Sequence, residues 1–286
     1  MSKRTAVVSG GGTGIGLAVA QALVDDDYTV ALLGRRPAVL EAAAEQLNAP
    51  TRVVTQAVDL TDPLAVTKAM PVIIERLGGT LDVVVANAGS APHAADNSLV
   101  SVNKAWHATL TGNTITTVLL IEALRAHLSD TARLIFISSA AAIGPGGGPY
   151  GAAKAALHGW MYDLAVELGP IGVTCNIVAP GFIADTGLFG DRMTAERRAS
   201  LVERTLVKRV GRPSDVADCV RWLARPESGY VTSQIIGIDG GALVDPGCAD
   251  AMSTARRAAS RSRPRATSRG GGPRASAARA SRCDVV

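Results

Sequence analysis

The chain has 286 residues, enough for one large domain or two small ones, and is 47% hydrophobic but only 3% aromatic. That composition suits a core of Ala, Val, Leu and Ile, as in a parallel sheet covered by helices. Its net charge of +4 is misleading: nine Arg and two Asp fall in residues 249–286, leaving residues 1–248 at −3. The mildly acidic body gives no basis for nucleic-acid binding, and no apolar run approaches the length of a membrane span.

Met1-Ser-Lys-Arg leads at once into a strand-like run, Thr5–Ser9, so no signal peptide is expected and the cytoplasm is the expected compartment. Next comes Ser9-Gly-Gly-Gly-Thr-Gly-Ile-Gly16, at the start of a helix over Gly14–Val24. Gly10, Gly14 and Gly16 form a G-x-x-x-G-x-G turn, where the backbone can approach a pyrophosphate facing a helix N-terminus. By itself the cluster would equally suit a tight turn. A second strand, Thr29–Leu33, ends about twenty residues later, where the adenosine ribose of a dinucleotide should lie. NAD would call for an Asp or Glu near Gly34. None is there, and Arg35 and Arg36 follow, whose guanidinium groups suit a 2′-phosphate. NADP is therefore favoured over NAD, with a solvated basic corner as the alternative.

Further along, a helix over Ala38–Leu47 precedes a strand over Arg52–Val58. Asp59-Leu60 ends that strand, where a carboxylate could accept from an adenine amino group. Thr61-Asp62-Pro63 is a helix entry, and Pro63–Leu77 has helical spacing. The strand Leu81–Ala86 ends in Asn87-Ala88-Gly89, small enough for backbone to lie beside a cofactor, with Asn87 tying neighbouring strands. A helix over Lys104–Leu128 and a strand over Leu134–Ser138 follow. Tyr150-Gly-Ala-Ala-Lys154 then opens a helix over Tyr150–Leu168. Residues four apart share a helix face, and an ammonium beside a phenol favours phenolate, so Tyr150 can trade protons near neutral pH. A strand over Val173–Val178, a helix over Ser214–Leu223 and a strand over Gln234–Ile238 complete the pattern. Alternating strands and helices predict an α/β fold with a doubly wound parallel sheet, its ligands at the carboxyl ends of the strands. Residues 249–286 lack the apolar side chains to offset their ordering and are expected to be a disordered basic tail on a 1–248 domain. Cys175, Cys219, Cys248 and Cys283 show no ligand spacing and form no metal motif with histidine.

The set resembles the short-chain dehydrogenase/reductase family in its compact single-domain form, from about Thr5 to Ala242. The likeness rests on the glycine turn, Asn87-Ala-Gly89, Trp106 seven residues before Asn113, Ile137-Ser-Ser139, Tyr150-x-x-x-Lys154, Pro180-Gly181 and Gly237-Ile-Asp-Gly-Gly241. It implies a Rossmann-type three-layer sandwich of about seven strands and a catalytic set of Asn113, Ser139, Tyr150 and Lys154. Tyr150 would exchange a proton with the substrate oxygen. Lys154 would lower the tyrosine pKa and bond the nicotinamide ribose. Ser139 would hydrogen-bond the substrate oxygen, and Asn113 would hold a water linking Lys154 to solvent. Thr13 and Ile15 join the glycines in the expected cofactor site. The segment after Pro180-Gly181, with Ile183 and Thr186, would contact the nicotinamide amide, and residues up to about Thr205 would cover the substrate. The family also implies a homotetramer or homodimer.

Several positions depart from the family pattern. Ser9 replaces the usual threonine but keeps a hydroxyl, and Ala86 replaces a common asparagine. The separation of 11 between Ser139 and Tyr150 is about two shorter than most relatives show, which leaves Ser138 as a rival serine. Thr186 falls one place later than usual. The loop Gly144–Pro149 borders the expected site and bears on substrate choice. His93 and His158 are assigned surface or packing roles. The stretch Ile183–Thr205 mixes Phe189 and Met193 with Asp191, Arg192, Glu196, Arg197 and Arg198, charges that suit water as well as substrate. The expected activity is NADP-dependent reduction of a ketone or 3-oxoacyl thioester by hydride transfer. NAD-dependent oxidation of a secondary alcohol is the runner-up, and a non-catalytic nicotinamide-binding regulator the third reading.

Overall fold

The computed structural model describes residues 4–92, 94–145, 147–187 and 193–244. The tail expected over 249–286, with Cys283, lies outside them, as do Cys248, His93, Phe189, Asp191 and Arg192. Seven strands form one parallel sheet: β1 (Thr5–Ser9), β2 (Thr29–Gly34), β3 (Val53–Ala57), β4 (Leu81–Ala86), β5 (Leu128–Ile137), β6 (Thr174–Pro180) and β7 (Ile235–Ile238). Their order across the sheet is β3-β2-β1-β4-β5-β6-β7. Between β1 and β4 the direction of winding reverses, and a crevice opens there at the carboxyl ends.

Continuous apolar strands are buried on both faces, yet their side chains still alternate. Val7, Val84, Leu134 and Phe136 pack toward α3 (Pro63–Arg76), α5 (Thr116–Leu124) and α6 (Gly148–Leu168). On the opposite face, Ala6, Val8, Val83, Val85 and Ile135 pack toward α1 (Gly14–Asp25), α2 (Pro37–Leu47) and α8 (Pro213–Leu223). Phe136 meets Trp160 of α6 edge to face, with ring centroids 5.9 Å apart. Tyr28 is buried and donates from its hydroxyl to the Ala224 carbonyl at 2.8 Å, which joins the β2 entrance to the end of α8. Cys175 is buried in β6, and burial pushes its thiol up to about 12. Among the described residues no helix is long and apolar enough to cross a membrane.

Two stretches differ from the sequence expectation. The helix expected over Lys104–Leu128 is α4 (Leu99–Leu110), a π-helical turn over Thr111–Ile115, and then α5. It starts early because the Ser98 hydroxyl caps it, accepting from the Ser101 amide at 3.2 Å. It ends early because a short 3-10 turn at Arg125–His127 leads into β5, whose Leu128 already pairs with Leu81 of β4. A further helix, α7 (Ala195–Glu203), was not anticipated: it buries no residue and so has no apolar stripe to reveal it.

The first turn of α1 lies so close to the end of β1 that a Cβ on Gly16 would collide with the Gly10 carbonyl oxygen. Backbone cannot swing away as a side chain can, so overpacking here distorts the turn. Gly16→Ala is expected to remove about 2 kcal/mol of stability. In a domain of this size that lowers the unfolding temperature by about 4–8 °C. Calorimetry on the purified variant checks it, and an unchanged midpoint would contradict the close approach.

Candidate active site

A single cleft of about 760 Å³ runs along the carboxyl ends of the strands. Gly10, Thr13 and Ile15 line it at the β1–α1 turn, whereas Gly14 and Gly16 sit behind as packing positions. Thr13 is the extended N-cap of α1, and its hydroxyl makes no capping bond. Free amides at a helix N-terminus and a spare hydroxyl suit an anionic group.

Asn87 does what the sequence suggested. Its side-chain amide donates to the Ser9 and Gly10 carbonyls at 2.9 and 3.3 Å. In return the Ser9 hydroxyl accepts from the Asn87 and Ala88 amides at 2.9 and 3.0 Å. Serine in place of threonine therefore keeps the bond that matters. Arg35 and Arg36 border the cleft at the end of β2, with Asp59 and Leu60 at the end of β3. The Asp59 carboxylate accepts from the Thr61 amide and hydroxyl at 2.9 and 2.8 Å. These bonds, aided by the positive charge of Arg35, hold its pKa below the usual carboxylate range.

Near the middle of the cleft the two serines after β5 face opposite ways. Ser139 caps a 3-10 turn over Ala140–Ala142, accepts from the Ala141 amide at 3.2 Å, and lines the cleft with Tyr150, whose pKa it draws down. The Ser138 hydroxyl sits 2.8 Å from His158 Nε2 and 3.3 Å from the Lys154 carbonyl, with which it pairs along the α6 side. The short Ser139–Tyr150 loop closes because the Ala141 carbonyl wedges between Gly147 and Gly151, where any side chain would strike it.

Lys154 is almost wholly buried, and its ammonium donates to the Ile137 carbonyl at 2.9 Å. It lies 6.0 Å from the Tyr150 ring centroid. Burial lowers its pKa to about 8. Burial likewise raises the Tyr150 phenol above its ordinary range, against the weaker pull of Ser139. The sequence reading had the lysine depressing the phenol. In this structure burial is the largest influence on the phenol.

Asn113 is also buried, in the π-helical turn. Its amide donates to the Ser90 and Thr109 carbonyls at 2.7 and 2.8 Å, and its oxygen accepts from the Ser90 amide at 3.2 Å. The side chain thus grips the loop after β4 and does not reach out to Lys154 through a bond of its own. A Cβ on Gly89 would come within 2.6 Å of the Asn113 oxygen and 3.2 Å of the Lys154 nitrogen, so both groups meet at that glycine.

Pro180, Gly181, Ile183 and Thr186 line the next part of the wall, and Ile183 is fixed by a β-bridge to Gly211. Arg197, Leu201, Arg204 and Thr205 line the far end with Leu243. The sequence reading covered Thr205 but singled out neither Leu201 nor Arg204. The Ser138–His158 pair was also missed. Its signal was the four-residue step from Lys154 to His158 on one helix face. Among the described residues no three of His, Cys, Asp or Glu gather as a metal site.

A family profile described as Enoyl-(Acyl carrier protein) reductase matches residues 10–242. The Short-chain reductase protein NovJ of Streptomyces niveus is 34% identical over 246 residues, covering 82% of this chain and 92% of that protein. The 3-oxoacyl-[acyl-carrier-protein] reductase MabA of Mycobacterium tuberculosis is 33% identical, covering 83% and 92%. The crystal structure of a short chain dehydrogenase from Burkholderia cenocepacia in complex with NADP is 34% identical, with a TM-score of 0.75 over 84% of this chain and 97% of that one.

The buried ammonium has a measurable signature. Lys154 titrates near 8 when folded and near the ordinary lysine value of about 10.4 when unfolded. Below pH 8 both states are charged, and the folded state bears the full burial penalty. As pH rises from about 8 to about 10.4 the unfolded chain holds more protons, so this site's penalty fades and stability rises. Lys154→Met removes the effect. The stability difference between variant and parent should therefore shift in the parent's favour across that window, as read by chemical denaturation at stepped pH. A difference that does not change with pH would place the amine in water.

Proposed function

The chain belongs to the short-chain dehydrogenase/reductase family and is an oxidoreductase, and on that premise we propose that it reduces a ketone or 3-oxoacyl thioester with NADPH, Tyr150 acting as the proton donor. The observation that carries the proposal is that Ser139, Tyr150 and the buried Lys154 line the same cleft as the glycine turn. The residues fit a dinucleotide. Thr13 has a spare hydroxyl at the α1 N-terminus, and a Cβ on Gly10 would fill the cradle and crowd the Asn87 amide at 2.8 Å. Gly10, Thr13 and Ile15 would hold the pyrophosphate, Asp59 and Leu60 the adenine, and Asn87, Ala88, Gly89, Pro180, Gly181, Ile183 and Thr186 the nicotinamide half. Gly14 and Gly16 would support the turn from behind.

When bound, NADPH supplies the hydride. Ser139 donates a hydrogen bond to the substrate oxygen as charge develops on it. Tyr150, whose burial keeps its phenol protonated at neutral pH, passes its proton to that oxygen. The Lys154 ammonium then faces the phenolate left behind and offsets its charge. Asn113 acts as a positioning residue, holding the Ser90 loop and Gly89 beside Lys154. Arg35 and Arg36, with no acid at Gly34, favour the 2′-phosphate of NADP. The proposal extends to a homodimer or homotetramer, supported by the exposed apolar residues Leu99, Val100, Ile115 and Val166 on α4, the π turn and α6.

Two experiments test this reading. Tyr150→Phe should lower kcat/KM about 1000-fold and Ser139→Ala about 100-fold, with NADPH binding by fluorescence retained. Ser138→Ala should stay within about threefold of the parent, since its hydroxyl serves packing. Full turnover in Tyr150→Phe would remove the tyrosine from its role. In the second, the parent should prefer NADPH to NADH. Replacing Arg35 and Arg36 by Ala should weaken that preference by about tenfold or more, because charge-assisted phosphate bonds are lost. A parent that prefers NADH would overturn the assignment.

A further inference from the structure

The cleft carries positive charge at both ends. Arg35 and Arg36 mark the adenosine end, and Arg197 and Arg204 the other, while Asp59 is the sole carboxylate among the described residues that line it. Arg197 and Leu201 of α7 and Arg204 at its C-cap, which keeps helical dihedrals, recur at steps of four and three, which puts them on one face. The basic side chains just beyond are already paired. Lys208 binds Glu203 at 2.8 Å and Arg209 binds Asp215 at 2.6 Å. Arg204 forms no ion pair among the described residues. Arg197 has an interaction of its own, so Arg204 is the residue on which the inference stands.

Arg204 is too far from the adenosine end to serve the same phosphate. Its neighbour Thr205 lies against Gly240, just past β7, and the Leu206 amide donates to the Gly240 carbonyl at 2.9 Å. Leu243, a little further on, abuts Gly144 of the Ser139–Tyr150 loop. Arg35 and Arg36 follow β2, five strands away from β7. At about 4.8 Å per strand that is about 24 Å. The Ser139–Tyr150 pair stands between, after β5. From that pair toward Arg204 the wall is apolar, formed by Ala141, Pro145, Leu201 and Leu243.

A carbonyl held at Tyr150 would therefore extend an apolar segment along this wall and end at a guanidinium. We propose that the substrate is an anionic carbonyl compound whose carboxylate or phosphate is bound by Arg204, so that α7 selects for charge as well as covering the site. The inference rests on the reductase reading. Its chemistry is that of one exposed arginine at the edge of a cleft and an anion at the end of an apolar chain. The anion belongs either to the oxo compound, as a terminal carboxylate, or to a thioester carrier arm, as a phosphate.

Two matched pairs separate these sources with NADPH as reductant: 5-oxohexanoate against its amide, and acetoacetyl-CoA against the acetoacetyl thioester of N-acetylcysteamine. The parent should favour the anionic member of one pair by about tenfold in kcat/KM, mainly through KM. Arg204→Glu should erase that preference, Arg204→Lys should keep most of it, and the neutral member should change by less than about threefold. The pair that responds names the source of the anion. Equal use of both members of each pair by the parent overturns the inference and leaves the reductase reading standing. Equal losses on charged and neutral members in Arg204→Glu overturn it too, since they report a disturbed helix. Turnover of none of the four by protein that binds NADPH removes the inference together with the reductase reading.

Discussion

Strands β1 and β4 lie side by side, but the chain leaves them toward opposite faces of the sheet, and the crevice this creates must be held by hydrogen bonds at its floor. Ser9 and Asn87 form that floor. The Ser9 hydroxyl accepts from two successive amides of the β4 end and reaches the Val85 carbonyl at 3.4 Å, which uses its whole bonding capacity. Asn87 answers with its side-chain amide on the two carbonyls where the glycine turn begins. The path of the turn and the path of Ala88-Gly89 are thus set by the same four hydrogen bonds. A shift at either residue would move the glycine turn and the backbone beside Lys154 together.

Lys154 is the electrostatic counterpart of that clasp. A buried ammonium with one carbonyl as its partner is a high-energy group. Its surroundings bind it in place: Ile137 below, Gly89 beside it, and the Ser138 hydroxyl against its own backbone carbonyl. The neighbouring phenol is raised by the same burial. Folding therefore moves the two groups apart, the amine down to about 8 and the phenol up, because burial disfavours the charged form of each.

Much of this was legible in the sequence because it is written in short-range terms. Buried parallel strands appear as Val/Ile/Leu runs, and all but β5 stand within a few residues of where the runs put them; β5 begins well ahead of Leu134. The tight β1–α1 turn at one end of the cleft was readable from its glycines. The different settings of the two serines were not: Ser138, two residues after Phe136, meets His158 of α6, and Ser139 caps the turn after β5, while both line the cleft. The π turn at Asn113 was hidden because it answers to a distant loop, gripping Ser90, rather than to any local pattern. Helix α7 was hidden for the opposite reason. Its register is fixed by Thr194 at its N-cap, whose hydroxyl accepts from the Arg197 amide at 3.2 Å, with no buried residue to repeat.

That last property has an evolutionary consequence. Lys154 and Asn113 are bound into the core, where a change of one methyl group is felt through the sheet. The residues of α7 at the far end of the cleft are held by the surface alone. Substitutions there meet little resistance from folding, so that wall of the cleft can be revised without disturbing the buried residues beneath it.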